Sequence, residues 1–241
     1  MGYARRAAED YRMIGDGDKI AVGLSGGKDS VALLTALAKM RDYYPLKYSL
    51  AAITVSLGFN GFDTAPLTAL CEKLQIDHVI VETNIGGVVF NDRMEKNPCS
   101  LCSKMRKGAL YGKAKELNCN KVALGHNRDD CVQTFFLSMF YEGRIHTFSP
   151  VIYLDHSGLT VVRPLVYAPE KEISAYVKKD GLTVVLNPCP VNGRTQREDI
   201  KSFIRNQSKK YKNFEKKIFG QITRLPVAGW EKDDNGKNRI S

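Results

Sequence analysis

The sequence predicts an α/β fold built as a doubly wound parallel sheet, and three observations predict it. Apolar runs of strand length alternate with helical patterns through the first 143 residues, as crossover connections require. The first such run leads straight into a glycine turn, SGGKDS at Ser25 to Ser30, at the point where an open parallel sheet places a bound anion. A chain of 241 residues with 43% hydrophobic content has enough apolar surface for one large core.

Taken in order, KIAVGL (Lys19 to Leu24) reads as a first buried strand and SVALLTALAKM as its helix. KYSLAAITVS is a second strand, APLTALCEKLQ a helix, HVIVE a third strand and SLCSKMRKGALYGKAKEL a long helix. KVALG is a fourth strand and DDCVQTFFLSMFYEG the helix after it. Beyond Ser149-Pro150 the pattern loosens: in VIYLDHSGLTVVRPLVYAP, Ser157-Gly158 reads as a turn between two short strands. EKEISAYVKKDG then reads as a helix closed by Gly181, followed by a strand LTVVL, a bend NPCP and a basic helix. The end, from Ala228 to Ser241, is polar and is expected to fray.

The formal charge is +10, with a pI near 9.3, which makes a polyanion a natural partner. KSFIRNQSKKYKNFEKK, Lys201 to Lys217, holds seven basic residues against one acidic, with Phe203, Tyr211 and Phe214 interleaved. Such a face suits RNA, with Lys201, Arg205, Lys209, Lys210 and Lys212 as phosphate contacts; a solvated amphipathic helix is the alternative. No apolar run approaches the ~18 residues of a spanning helix, and MGYARRAAEDYR lacks the apolar stretch of a signal peptide. A soluble cytoplasmic protein with no membrane contact is expected. Its six cysteines are then reduced thiols or metal ligands rather than a disulfide framework.

SGGKDS has the makings of a phosphate cradle, since two glycines let the backbone come close and Ser25 and Ser30 add hydroxyls. It is not a Walker A loop, because Lys28 is followed by Asp29. GHNRDD, Gly125 to Asp130, follows the fourth strand and so belongs to the same carboxyl edge of the sheet. Its paired carboxylates could hold Mg²⁺ against phosphates, with Asp129 favoured over Asp130, or they could cap the next helix.

The triplet NPC occurs twice, as NPCSLC from Asn97 and as NPCP from Asn187, and each Asn-Pro step is a bend that presents the cysteine behind it. Cys99 and Cys102 form a CxxC that fits half a zinc site, a redox pair or part of an iron–sulfur site. Cys189 follows a strand and could reach the same crevice. Cys71, Cys119 and Cys131 fall within or at the ends of helices and read as ordinary buried thiols.

SGGKDS, NPCSLCSKMRKGALY, ALGHNRDD, RPLVYAPEKEI and the later NPC together resemble the tRNA 2-thiocytidine synthetases of the PP-loop superfamily, over Asp10 to Phe219. The resemblance implies an adenine nucleotide alpha hydrolase-like (HUP) sheet with a C-terminal basic helical extension. It divides the chain into an N-terminal helix (1–18), a PP-loop ATP-binding domain (19–165), an extension with the third cysteine and the basic helix (166–225), and a flexible tail (226–241). ATP would lie against Leu24, Ser25, Gly26, Gly27, Lys28, Asp29, Ser30, Val55, Gly125 and His126. A [4Fe–4S] cluster would be ligated by Cys99, Cys102 and Cys189, leaving one iron open to an exogenous sulfide. Mg²⁺ on Asp129 and the cation of Arg106, one turn beyond Cys102, would steady the charges that develop.

The implied reaction is adenylation of the C2 oxygen of a cytidine, at position 32 of tRNA, followed by its replacement with sulfur. The implied partners are tRNA, a sulfur donor (a cysteine desulfurase or free sulfide) and a second copy of the chain. Two departures bear on the base: Asn127 stands where the cytidine enzymes commonly have a second histidine, and Asn192 where some relatives have a further cysteine. A thiolase acting on uridine, an amine-using tRNA ligase without a cluster, and a non-enzymatic nucleotide-bound sensor are the alternatives.

Overall fold

The structure is a computed structural model and describes residues 1–92, 98–185, 188–189, 196–224, 227 and 230. Its centre is a six-stranded sheet in the order β3-β2-β1-β4-β6-β5. β1 (Asp18–Gly23) pairs in parallel with β2 (Tyr48–Ser56) on one side and β4 (Lys121–Ala123) on the other. β2 pairs in parallel with β3 (Asp77–Glu82), and β4 with β6 (Leu159–Val162). Only β5 (Val151–Leu154), joined to β6 through the expected turn at Ser157-Gly158, runs antiparallel. The order reverses at β1, so the crevice between the carboxyl ends of β1 and β4 is the switch point where such sheets bind ligands.

β1 is central and buried on both faces, which is why its sequence is continuously apolar rather than alternating. Ile20 and Val22 face the layer of α1 (Gly2–Asp10), α2 (Lys28–Arg41) and α7 (Glu170–Lys179). Ala21 faces the opposite layer, where α5 (Pro98–Glu116) lies. α2 is buried almost all round, with Leu33, Leu34 and Leu37 at 0% exposure. Each such leucine contributes about 1.5–3 kcal/mol, and cutting one to alanine costs about 2–5 kcal/mol. α6 (Arg128–Tyr141), α8 (Gln196–Lys210) and α9 (Phe214–Ile222) form a third apolar cluster through Val132, Phe136, Ile200 and Ile204. α3 (Ala65–Lys73) joins β2 to β3; a short turn, α4 (Ile85–Gly87), and a π-helical turn at Val88–Asp92 lead toward α5.

Three elements differ from the expectation. Residues 182–185 of LTVVL form no strand, although Val185 N–H donates to Gly26 O (2.9 Å). The basic segment is two helices, broken at Asn213 (φ 60°), and it begins at Gln196. Of the tail, Val227 and Trp230 are buried, and the Trp230 indole N–H donates to Phe148 O (3.1 Å). The rest of 226–241, with Asn97, Asn187 and Asn192, lies outside the described residues. Among the described residues no helix is long and apolar enough to cross a membrane.

Candidate nucleotide and thiol site

The phosphate loop is shaped by its glycines. Gly26 has φ +85°, and a Cβ there would stand 3.0 Å from Val185 O. Gly27 is extended and opens α2, so the free N–H groups of the first helical turn face the loop. Ser30 is buried; its hydroxyl donates to Gly27 O (2.9 Å) and accepts from Ser25 N–H (3.2 Å). The second loop comes from β4. Asn127 caps α6 with a full capping box: its side chain accepts from Asp130 N–H and Asp130 accepts from Asn127 N–H, both 3.0 Å. The remaining amide hydrogens of Asn127 reach Asp29 Oδ1 (3.1 Å), and Gly125 packs so close to Asp29 that a Cβ would lie 3.0 Å from its carbonyl carbon. Asparagine therefore ties the two loops together here.

Between these loops lies a cavity of about 490 Å³. Leu24, Ile53, Val55 and Leu110 give it an apolar side, while Ser25, Asp29, Ser30, Gly125 and His126 form its polar end. Four cations line the remainder: Arg106, Lys107, Arg163 and Arg197. Burial lowers the Arg163 pKa to about 10, and its guanidinium lies 5.1 Å over the Phe148 ring. Burial, then Arg163 and Arg106, lowers Lys107. Burial, with the same surrounding cations, lowers His126 to about 3, so its imidazole is neutral at physiological pH. A cavity so crowded with positive charge calls for a polyanion. Lys107, Arg163 and Arg197 escaped the sequence reading, although Arg163 stands inside RPLVYAPEKEI.

A second cavity, about 500 Å³, shares Ser25, Asp29, Ser103 and Arg106 with the first. Cys99, Cys102 and Cys189 line it together with Gly27, Lys28 and Val185. Two local features bring the cysteines here. Pro98 opens α5, which sets Cys99 and Cys102 on its first turns. The bond from Val185 to Gly26 seats residues 182–185 on the phosphate loop, four residues before Cys189. Burial raises the Cys102 thiol pKa; Arg106 opposes the rise, and Cys189 and Cys99 add to it. All three are free thiols. Among the described residues no three His, Cys, Asp or Glu side chains form a group able to hold one metal ion. Cys71, Cys119 and Cys131 are buried in the core, where burial pushes Cys71 up to about 11 and Cys131 to about 12.

Asp129 lines neither cavity. Its carboxylate accepts from Glu170 N–H (2.9 Å) in a small recess shared with Lys201, Arg205 and Glu215. Asp29 is the carboxylate on the walls of both cavities. Lys28 Nζ sits between Asp29 Oδ2 and Glu170 Oε1, 2.8 Å from each. Arg205, Lys209, Lys210 and Lys212 are exposed, and Lys201 is half-buried.

A model of the PP-loop domain matches residues 4–208. The tRNA-cytidine(32) 2-sulfurtransferase of Ralstonia nicotianae is 39% identical over 203 residues, which is 83% of this chain and 65% of that protein. Its counterparts from Teredinibacter turnerae (36% identity; 91% and 74%) and Idiomarina loihiensis (40%; 86% and 70%) match similarly. The chain thus spans from just under two thirds to about three quarters of these relatives' length. Among solved structures, the U34-tRNA thiolase NcsA from Methanococcus maripaludis, with its [4Fe-4S] cluster, superposes with a TM-score of 0.76 at 24% identity. That match covers 97% of this chain and 80% of the other, and it establishes a common fold. The phosphate loop at the switch point, the domain match and the extended identity agree: the chain belongs to the PP-loop domain family, in its tRNA-cytidine(32) 2-sulfurtransferase branch.

Proposed function

We propose that this chain thiolates tRNA at the expense of ATP, adenylating the C2 oxygen of a cytidine, at position 32, and exchanging that oxygen for sulfur. The observation that carries this reading is the shared wall of Ser25, Asp29, Ser103 and Arg106, across which the phosphate loop and the three cysteines open onto adjoining space. An activating nucleotide and a sulfur source would then act on one base.

The chemistry explains why both are needed. Oxide is a poor leaving group, so the base oxygen first attacks the α-phosphorus and expels pyrophosphate. Sulfide then adds at C2, and the C2–O bond breaks to release AMP. The α2 N–H groups, Lys28 and the loop hydroxyls hold the phosphates, and Asp29 offers Mg²⁺ a carboxylate beside them. Asp129 Oδ2 accepts from Glu170 N–H in the neighbouring recess, so Asp129 stands further from the phosphates than Asp29 does. Arg106 faces both cavities and stabilises the negative charge that builds as each bond breaks. His126, neutral and beside Arg163, offers a hydrogen bond without adding charge.

The donor set fits a [4Fe–4S] cluster: three free thiols line one cavity, and in a cluster each cysteine takes a different iron. Held by Cys99, Cys102 and Cys189, a cluster would supply an iron without a protein ligand, able to carry sulfide from a desulfurase or from solution.

Mass spectrometry of tRNA nucleosides from cells with and without the gene tests this function. Loss of 2-thiocytidine is expected. Loss of a different thionucleoside reassigns the base to the uridine alternative, and an unchanged profile rejects thiolation.

A further inference from the structure

Asn127 is 2% exposed, and each of its polar groups is engaged. Its backbone N–H donates to Asp130 Oδ2 and its Oδ1 accepts from Asp130 N–H, both at 3.0 Å, while its carbonyl accepts from Cys131 N–H (3.2 Å). What remains is the side-chain NH2, which donates to Asp29 Oδ1 (3.1 Å) across the gap between the two loops. The amide has one workable orientation. Turned over, its oxygen would face the Asp29 carboxylate and its NH2 the Asp130 N–H, two repulsive contacts in a buried place.

The surrounding backbone is held on either side. Leu124 N–H donates to Val162 O and Arg128 N–H to Ala168 O, both 3.0 Å, so the turn carrying Asn127 is anchored before and after it. Asp130, the partner in the cap, has its other oxygen 3.6 Å from Arg197 Nη1.

Asp29 stands in the first turn of α2, on the walls of both cavities. Its Oδ2 accepts from Lys28 Nζ (2.8 Å) and its Oδ1 from Asn127, so each oxygen keeps a lone pair and the plane of the carboxylate is fixed. Of the two donors Asn127 is the immobile one, because Lys28 is partly exposed on a flexible stem. A carboxylate so held suits Mg²⁺, which takes one or two carboxylates together with phosphate and water.

We propose that Asn127 is a positioning residue for the metal: it fixes Asp29 before the nucleotide arrives, so that the remaining lone pairs are presented to the Mg²⁺ of MgATP. The inference rests on the reading that Asp29 offers Mg²⁺ a carboxylate. Loss of the Asn127 amide then acts on the metal-dependent part of nucleotide binding and spares the rest.

Calorimetric ATP binding with Mg²⁺ and with EDTA tests this on two variants. Asn127→Ser keeps an N-cap oxygen but cannot reach Asp29, and Asn127→Ala loses both contacts. In both, MgATP should bind about 3- to 10-fold more weakly, the worth of one hydrogen bond, while metal-free ATP should stay within about twofold of wild type. The Mg²⁺ concentration needed for half of the metal's effect should rise correspondingly. Asn127→Ala should also melt at a lower temperature than Asn127→Ser. Equal weakening with and without Mg²⁺ would make Asn127 a general brace of the loops and overturn the proposal. So would a metal effect confined to Asn127→Ala, which traces it to the cap, or wild-type Mg²⁺ dependence in both variants. Asp29→Asn locates any failure: Mg²⁺ dependence that survives it removes the metal reading of Asp29 and this inference together. Dependence lost there but kept in the Asn127 variants removes the inference alone.

Discussion

Glu170 shows how one side chain can organise a site it barely touches. Its carboxylate holds Lys28 Nζ at 2.8 Å, and its backbone N–H holds Asp129 at 2.9 Å. Burial by itself would lower the Lys28 ammonium, but the hydrogen bonds it donates to Asp29 and Glu170 outweigh that and raise the pKa, so Lys28 stays charged. Lysine has a flexible stem, and fixing it before the nucleotide arrives removes an ordering cost of about 1 kcal/mol. Glu170→Ala is therefore expected to weaken MgATP binding about 3- to 10-fold by calorimetry. Glu170→Gln, which keeps an acceptor for Lys28, should recover most of the loss. The Asp129 bond is to the backbone and survives in both variants. Adenosine, lacking phosphates, should bind all three proteins alike; an equal loss for adenosine, or tighter ATP binding in the alanine variant, would contradict this role. None of this was visible in the sequence. SGGKDS and GHNRDD could be read because their residues are consecutive and sit on local turns. Glu170, Arg163 and Arg197 acquire meaning only through contacts made across the fold.

At the scale of elements, the β-branched run in LTVVL has the composition of a strand, but its residues 182–185 lie over the phosphate loop, tied to it by the backbone bond from Val185 N–H to Gly26 O. Propensity reported an extended chain and could not report its neighbour. Gly26 is what permits the approach. Gly26→Ala must accept φ +85°, worth about 1–2 kcal/mol, and a Cβ only 3.0 Å from Val185 O. A lowered melting temperature is expected together with weaker ATP binding and lower retention of iron, because the displaced segment leads to Cys189. Unchanged iron content in a variant that has lost ATP affinity would separate the segment from the thiols.

A second element contact ties the start of β1 to β4. Asp18 accepts from Lys121 Nζ (2.7 Å), Asn120 Nδ2 (2.7 Å) and Gly15 N–H (2.5 Å). Burial would raise this carboxyl, yet the three donors hold its pKa below the ordinary carboxylate value. A depressed carboxylate stabilises the fold above its unfolded pKa, about 3.9, and that contribution fades as pH falls through the folded value. Asp18→Asn leaves Lys121 buried without its charge partner and should cost about 3 kcal/mol at pH 7 in a denaturant titration. The gap from wild type should narrow below about pH 4. A gap that stays constant down to pH 3 would mean that shape rather than charge holds the two strands together.

In the whole molecule, the parallel order could be read from alternating apolar runs, because each strand–helix unit announces itself locally. The meeting of the two cavities could not, since it depends on where α5, residues 182–185 and Cys189 come to rest over the sheet. Arg106 stands where they meet, lining both cavities four residues beyond Cys102. This position separates its role from those of the binding groups on either side. Arg106→Ala removes no cysteine and no part of the phosphate loop, so iron content after anaerobic reconstitution should match wild type and ATP affinity should change by less than about threefold. Removing a cation that stabilises charge only as bonds break should instead lower single-turnover thiolation by about 10²–10³. Lysine at the same place, a point charge without the guanidinium fork, should restore part of that loss. If iron content falls in step with activity, Arg106 supports the thiols rather than the reaction. If ATP affinity collapses while iron is kept, it belongs to the nucleotide alone, and the shared wall no longer links activation to sulfur transfer.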